Sequence, residues 1–284
     1  MSDPGPSPSA LQARYAGRVL GGRYRLGALL GAGGMGAVFR ADDARLGREV
    51  AVKVILPERL GTDPAPHRGR FRREAVVAAR IRHRNVVTVY DFGTETGPDG
   101  EPLDYLVMEL LEGADLASRR AALLAAPPAE RLDVVLQAAR GLAEGHRRGV
   151  VHRDVSPRNL FLAPEPGGRF HVRVLDFGVA KPVAGGAAFG EITVAPAFVG
   201  SPSYASPEQM QGKATPGPES DVFSLAVIAY ELLCNRRPYG SAAREAMGRG
   251  EAVPAPSLRQ RDPRLPPTVD AVLGRALQVD PTRR

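Results

Sequence analysis

The sequence predicts an α+β fold in two parts: a small antiparallel sheet carrying one helix, then a larger, mainly helical part. Three observations predict it. Apolar residues alternate in short runs as far as residue 108, they recur at helical spacing after Gly113, and 284 residues exceed one typical core. A hydrophobic content of 43% with 24% charged residues is that of a globular chain with a buried interior.

The elements follow in order. Residues 1–20, opening "MSDPGPSPSA", are rich in Pro, Ser and Gly and are expected to form a disordered tail. "YRLGALLGAGGMGAVFRADD" reads as two strands around a glycine-rich turn, and "REVAVKVIL" as a third strand. Residues 68–81 place Phe71, Ala75, Ala78 and Ala79 at helical spacing. "NVVTVYDFG" and "DYLVMELLE" are two further strands separated by the turn "TGPDG". Beyond Gly113, "RLDVVLQAARGLAEGHRRG" is helical, with Leu132, Val135, Leu136, Ala139 and Leu142 on its apolar face. Short strands near Phe161 and Val174 follow, then a Gly/Ala/Pro-rich stretch over residues 181–203, longer than an ordinary connection. Helices over residues 221–234 and 269–277 complete the chain.

Several function classes are excluded on composition. The net charge is +7, but the arginines are spread along the chain, aromatics are 6% and Trp is absent, so no nucleic-acid stacking platform is present. Cys234 stands alone within "VFSLAVIAYELLC", which excludes a disulfide framework and reads as a buried small hydrophobe. That run is too short to cross a bilayer, and the N-terminus has no signal-peptide core. A cytoplasmic location is expected.

The chemistry-bearing residues are ordered. "GAGGMGAV" sets Gly31, Gly33 and Gly36 after a strand, where glycine lets backbone N–H groups approach phosphates. The pattern alone fits a plain hairpin equally well. Because it leads into a strand, it does not fit a dinucleotide-binding turn. Lys53 ends "VAVK", either solvent-facing or paired with Glu74 on the following helix. "HRDVSPRN" sets Asp154 five residues before Asn159, and "LDFG" adds Asp176. A carboxylate base with carboxylate and amide oxygens for a hard cation is what phosphoryl transfer requires. "SPE" at residues 206–208 closes a series whose order no combination of unrelated turns explains.

Over roughly residues 20–284 the sequence resembles the eukaryotic-type protein kinases, in their bacterial serine/threonine branch. The resemblance implies a two-lobed protein-kinase-like fold, with an N-lobe over residues 21–108, a hinge over 109–113 and a C-lobe over 114–284. The family's final helix is expected to be cut short, in a piece of a longer protein whose missing C-terminal region would carry any membrane anchor. It implies ATP and Mg²⁺, or Mn²⁺ in its place, as cofactors. Lys53 would contact the α/β-phosphates and pair with Glu74. Leu30, Gly31, Gly33, Gly36, Val38, Ala51 and Phe161 would surround the nucleotide, with Met108 as gatekeeper. The Glu109 and Leu111 backbones would bind adenine, and Asp115 would lie near the ribose. Asp154 would be the catalytic base, Asn159 and Asp176 the metal ligands, Asp221 the buried anchor of the catalytic loop, and Glu208 the partner of Arg284.

Three departures stand out. Ser156 replaces the catalytic-loop Lys, Ser206 the Ala of A-P-E, and Ser201 the Thr of the peptide-docking loop. Arg158 is expected to supply the cation that Ser156 lacks, since tyrosine kinases carry an Arg at that place. The resemblance also implies protein substrates and activation by phosphorylation of Thr193 between two molecules. Arg70, Arg153 and Lys181 would receive that phosphate. Two other readings remain: a pseudokinase acting as an ATP-binding scaffold, for which Ser156 speaks, and a small-molecule phosphotransferase, against which "GSPSYASPEQ" speaks.

Overall fold

The computed structural model describes residues 6–33, 36–56, 71, 75–177, 203–212 and 216–284. Among these, the first of two compact units comprises residues up to Arg82 together with Val87–Leu111. The second comprises His83–Val86 and the chain from Glu112 onward. The division thus falls at 111/112, and a four-residue stretch expected in the first part belongs to the second. Asn85 explains that stretch: it is 1% exposed, its side-chain amide donates to Val172 O (3.0 Å) and Gln137 Oε1 (3.1 Å), and its carbonyl accepts Val174 N–H (2.9 Å).

In the first unit, strands β1 (Val19–Leu20), β2 (Tyr24–Ala32), β3 (Gly36–Asp43), β4 (Arg48–Ile55), β5 (Val89–Thr96) and β6 (Pro102–Met108) form one sheet. Its order is β1-β2-β3-β4-β6-β5 and every pairing is antiparallel. Strand alternation sorts the faces. Val50, Val52 and Val54 point into a core with Phe39, Tyr24 and Val107, while Ile55 joins Phe71, Ala75, Ala78 and Leu106 on the other face. Residues 75–78 are helical, as their spacing predicts.

The segment expected to be a disordered tail is a correction. It contains helix α1 (Pro8–Tyr15), capped by Ser7, whose Leu11 and Tyr15 are fully buried in the sheet core. Two large side chains four residues apart on one helix face outweigh the Pro/Ser/Gly composition around them.

In the second unit, β7 (Ala114–Asp115), β8 (Leu160–Pro164) and β9 (Phe170–Val174) form a three-stranded sheet. Its α-helices among the described residues are α2 (Leu116–Ala125), α3 (Pro128–Arg147), α4 (Pro207–Gln211), α5 (Pro218–Cys234), α6 (Ser241–Gly248) and α7 (Pro267–Ala276). Helix α5 is buried almost all round, as its unbroken apolar run predicts. Its Phe223 stacks on Tyr239 at 6.0 Å within a core that includes Met247, Leu258 and Leu277. Among the described residues no helix is long and apolar enough to cross a membrane.

Candidate active site

The loop "HRDVSPRN" is held by a buried carboxylate 67 positions after Asp154. Asp221, 1% exposed near the start of α5, accepts the backbone N–H of His152 (2.8 Å) and of Arg153 (2.8 Å). It also accepts His146 Nε2–H from the last turn of α3 at 2.7 Å. Three donors satisfy a carboxylate that would otherwise be costly to bury. They also hold Arg153 at φ +66°, a left-handed conformation that a non-glycine residue adopts only when its surroundings enforce it. The peptide after Arg153 is thereby turned. Asn159, closing the 3₁₀ turn Pro157–Asn159, donates its side-chain amide to Asp154 O and to Asp154 Oδ2, both at 2.8 Å. Its amide nitrogen is thus committed to Asp154, which makes Oδ1 the atom suited to a cation.

The second aspartate is tied to the same loop. Leu175 N–H donates to Asn159 O (2.9 Å), and His152 Nε2–H donates to Leu175 O (2.6 Å). His152 Nδ1 accepts Asp154 N–H at 3.2 Å, so both ring nitrogens orient this loop. Asp176 then sits at φ +56°, the second non-glycine residue of this site, after Arg153, in the left-handed region. Phe177, 3% exposed, packs its ring 5.1 Å from the His152 ring. Asn159 and Asp176 supply hard oxygen donors of the type a Mg²⁺-like ion takes alongside phosphate and water.

The other second-unit candidates are placed as follows. Ser156 is 2% exposed, whereas Arg158 is exposed and has no hydrogen bond or ion pair among the described residues. Asp115 caps α2: its carboxylate accepts Ser118 N–H (2.8 Å) and Ser118 Oγ–H (3.1 Å). Phe161 on β8 pairs with Asp115 across the small sheet.

"SPE" forms a fixed helix start. Ser206, 0% exposed, and Gln209 make a reciprocal capping box at α4, so the Ser found in place of Ala has a structural use. Gln209 Nε2 also donates to Arg153 O at 2.8 Å, joining α4 to the catalytic loop. Glu208 and Arg284 pair bidentately at 2.7 and 2.9 Å, as expected, and Ser220 Oγ–H adds a bond at 2.6 Å. Burial by itself would raise the Glu208 carboxyl, but the Arg284 and Ser220 hydrogen bonds outweigh it and hold Glu208 below its ordinary range.

In the first unit, Lys53 lies on the β4 face shared with Ala51 and Ile55 and is 9% exposed, so the solvent-facing reading is excluded. Val38 stands opposite Lys53 in β3, and Met108, 6% exposed, stands opposite Ala51 in β6. Glu109 is fixed twice by Thr88: its amide donates to Thr88 O (2.9 Å) and its carboxylate accepts Thr88 N–H (2.7 Å). Leu111 is partly exposed, and Leu30 is 49% exposed. The glycines divide. A Cβ on Gly36 would meet Val54 O at 2.2 Å, so strand packing alone demands that glycine. At Gly31 and Gly33 no described atom lies within 4 Å of an added Cβ, so close approach of strands does not account for them.

Glu74, Arg70, Lys181, Thr193 and Ser201 lie outside the described residues. Two contributors escaped the sequence reading: His146 and Gln209. The histidine had one faint signal, its place six residues before His152 in "HRRGVVH".

These features define a protein kinase domain, and the chain belongs to that family, whose model matches residues 24–284. The family uses ATP and a divalent cation. A probable serine/threonine-protein kinase of Streptomyces coelicolor is 38% identical over 270 residues, which cover 94% of this chain and 38% of that protein. The serine/threonine-protein kinase PknB of Mycobacterium tuberculosis is 36% identical over 269 residues, covering 93% of this chain and 41% of that one. The solved kinase domain of Mycobacterium tuberculosis PknI is similar at a TM-score of 0.70 and 30% identity, covering 95% of this chain and 93% of that one. The chain spans less than half the length of the two full-length relatives named here.

Proposed function

We propose that this chain transfers the γ-phosphate of ATP to Ser/Thr hydroxyls of proteins. The observation that carries the reading is the Asp154–Asn159 pair, set by a loop that buried Asp221 holds in a strained turn. Asp154 would orient the acceptor hydroxyl and take its proton. Asn159 and Asp176 would hold Mg²⁺, or Mn²⁺ in its place, which supplies charge neutralisation at the phosphates. Lys53 with Glu74 would hold the α/β-phosphates, and the Glu109 and Leu111 backbones the adenine. A protein acceptor is favoured by the capped helix that follows "GSPSYA" and by the relatives' names. Regulation would come from phosphorylation of Thr193 between two copies.

The test is phosphate transfer from labelled ATP to the chain itself and to a Ser/Thr-containing protein, beside nucleotide affinity. Asp154→Ala and Asp176→Ala should each lower kcat about 10³-fold while the protein stays folded. Undiminished transfer in either variant would refute the assignment. Wild-type protein that binds ATP and transfers nothing would support the scaffold reading instead.

A further inference from the structure

We propose that helix α1 is a strap that positions the glycine-rich turn, with Gln12 as its positioning residue. The inference rests on the kinase reading above, because it assigns the turn a nucleotide. The helix precedes residue 24, where the family match begins.

Strand β2 leads into that turn, and its outer edge would present unpaired backbone groups. The short strand β1 covers only Tyr24 and Arg25. Farther along, Leu26 N–H donates to Arg18 O (2.8 Å) and Leu26 O accepts Gly17 N–H (2.7 Å). Beyond Leu26 the pairing of β2 with β3 slips twice, between Leu26 and Leu29 and between Leu29 and Gly31. Such an irregularity bends a strand and loosens its ladder. Gln12 closes the edge there. Its Nε2 donates to Gly27 O (3.1 Å), and its Oε1 accepts Leu29 N–H (2.6 Å). A primary amide carries donor and acceptor in one plane, so it substitutes for a neighbouring strand's peptide. Leu29 is the last residue held in this way before Gly31.

The helix itself is anchored. Leu11 and Tyr15 are fully buried, the Tyr15 ring lies 5.9 Å from Phe39, and Arg14 pairs with Asp99. Arg18 donates to Thr96 O at 2.8 Å, at the end of β5. Gln12 therefore transmits a rigid support to the bend from which the turn springs.

The test compares Gln12→Ala and Gln12→Glu with wild type in the whole chain. Alanine removes both bonds, and glutamate keeps only the acceptor for Leu29 N–H. Gln12→Ala should raise the KM for ATP and the Kd for ADP about 5-fold, as for loss of hydrogen bonds of modest net strength, with kcat nearly unchanged. In the glutamate variant the second carboxylate oxygen would face Gly27 O, acceptor against acceptor, so its nucleotide affinity should be weakened at least as much as in the alanine variant. Amide exchange at Leu29 should quicken in the alanine variant whether or not nucleotide is present. Nucleotide affinities equal to wild type in both variants, whatever their melting temperatures, would overturn the proposal alone. A wild-type protein that binds no nucleotide would instead refute the kinase reading, and this inference with it.

Discussion

The ring of Phe177 occupies the space that a side chain at Gly145 would need: a Cβ there would lie 2.2 Å from Phe177 Cε1. One turn near the C-terminal end of α3 thereby sets the depth of the ring that follows Asp176, and with it the contact of that ring with His152. The glycine is kept for an aromatic ring and not for backbone freedom.

Gly145→Val should therefore displace Phe177 and lower stability by about 2 kcal/mol, in the range for overpacked interiors. It should also lower phosphate transfer, because Leu175, which lies between the loop and Asp176, is bonded to His152 and Asn159. Thermal melting and kcat check it together. A variant with wild-type values of both would show that the ring has room to move.

Acid should weaken the Glu208–Arg284 pair. Glu208 is held below its ordinary value near 4.5, so it binds its proton less readily folded than unfolded. Its contribution is complete above that value and is lost as the pH falls through the lower, folded one. Asp43 behaves likewise in the first unit: the Arg23 hydrogen bond lowers it from 3.8 to about 2. Glu208→Gln should cost about 3 kcal/mol at neutral pH, since the Arg284 side chain is 1% exposed, and should flatten the acid curve just below pH 4.5. The loss towards pH 2 should remain. Urea unfolding against pH checks both windows.

Arg158 is exposed and makes no bond among the described residues, while Ser156 is buried. The cation of this loop thus stands exposed at 158, two residues beyond the buried serine, and the proposed role gives it the charge that 156 lacks. Arg158→Ala should lower kcat by about 10- to 100-fold with stability within about 0.5 kcal/mol of wild type. Single-turnover phosphate transfer is the measurement. Wild-type rates in the variant would mean that the missing loop lysine needs no replacement.

Much of the site was legible because its parts are close in sequence. Asp154 and Asn159 lie five residues apart on one loop, close enough in sequence to be read as a pair, and strand patterning predicted β2, β3 and β4. Burial decided between the two readings of Lys53: its neighbours in "VAVK" left both faces open, and only pairing of β4 with β3 and β6 decided which face it shares. The N-terminal helix is hidden in a Pro/Ser/Gly-rich composition, because only the spacing of Leu11 and Tyr15 marks the face it buries.

By itself, then, the sequence determined which residues could carry charge, metal or phosphate, since those properties belong to side-chain types and short spacings. Tertiary structure decided what each is held against. Asp221 reaches the loop from 67 residues beyond Asp154, and Gln12 reaches Leu29 from another element. Gly36 and Gly145 are fixed by a carbonyl and a ring distant in the chain. Such contacts leave no periodic signal, because hydrogen bonds and close packing depend on distance in space and not on separation along the chain.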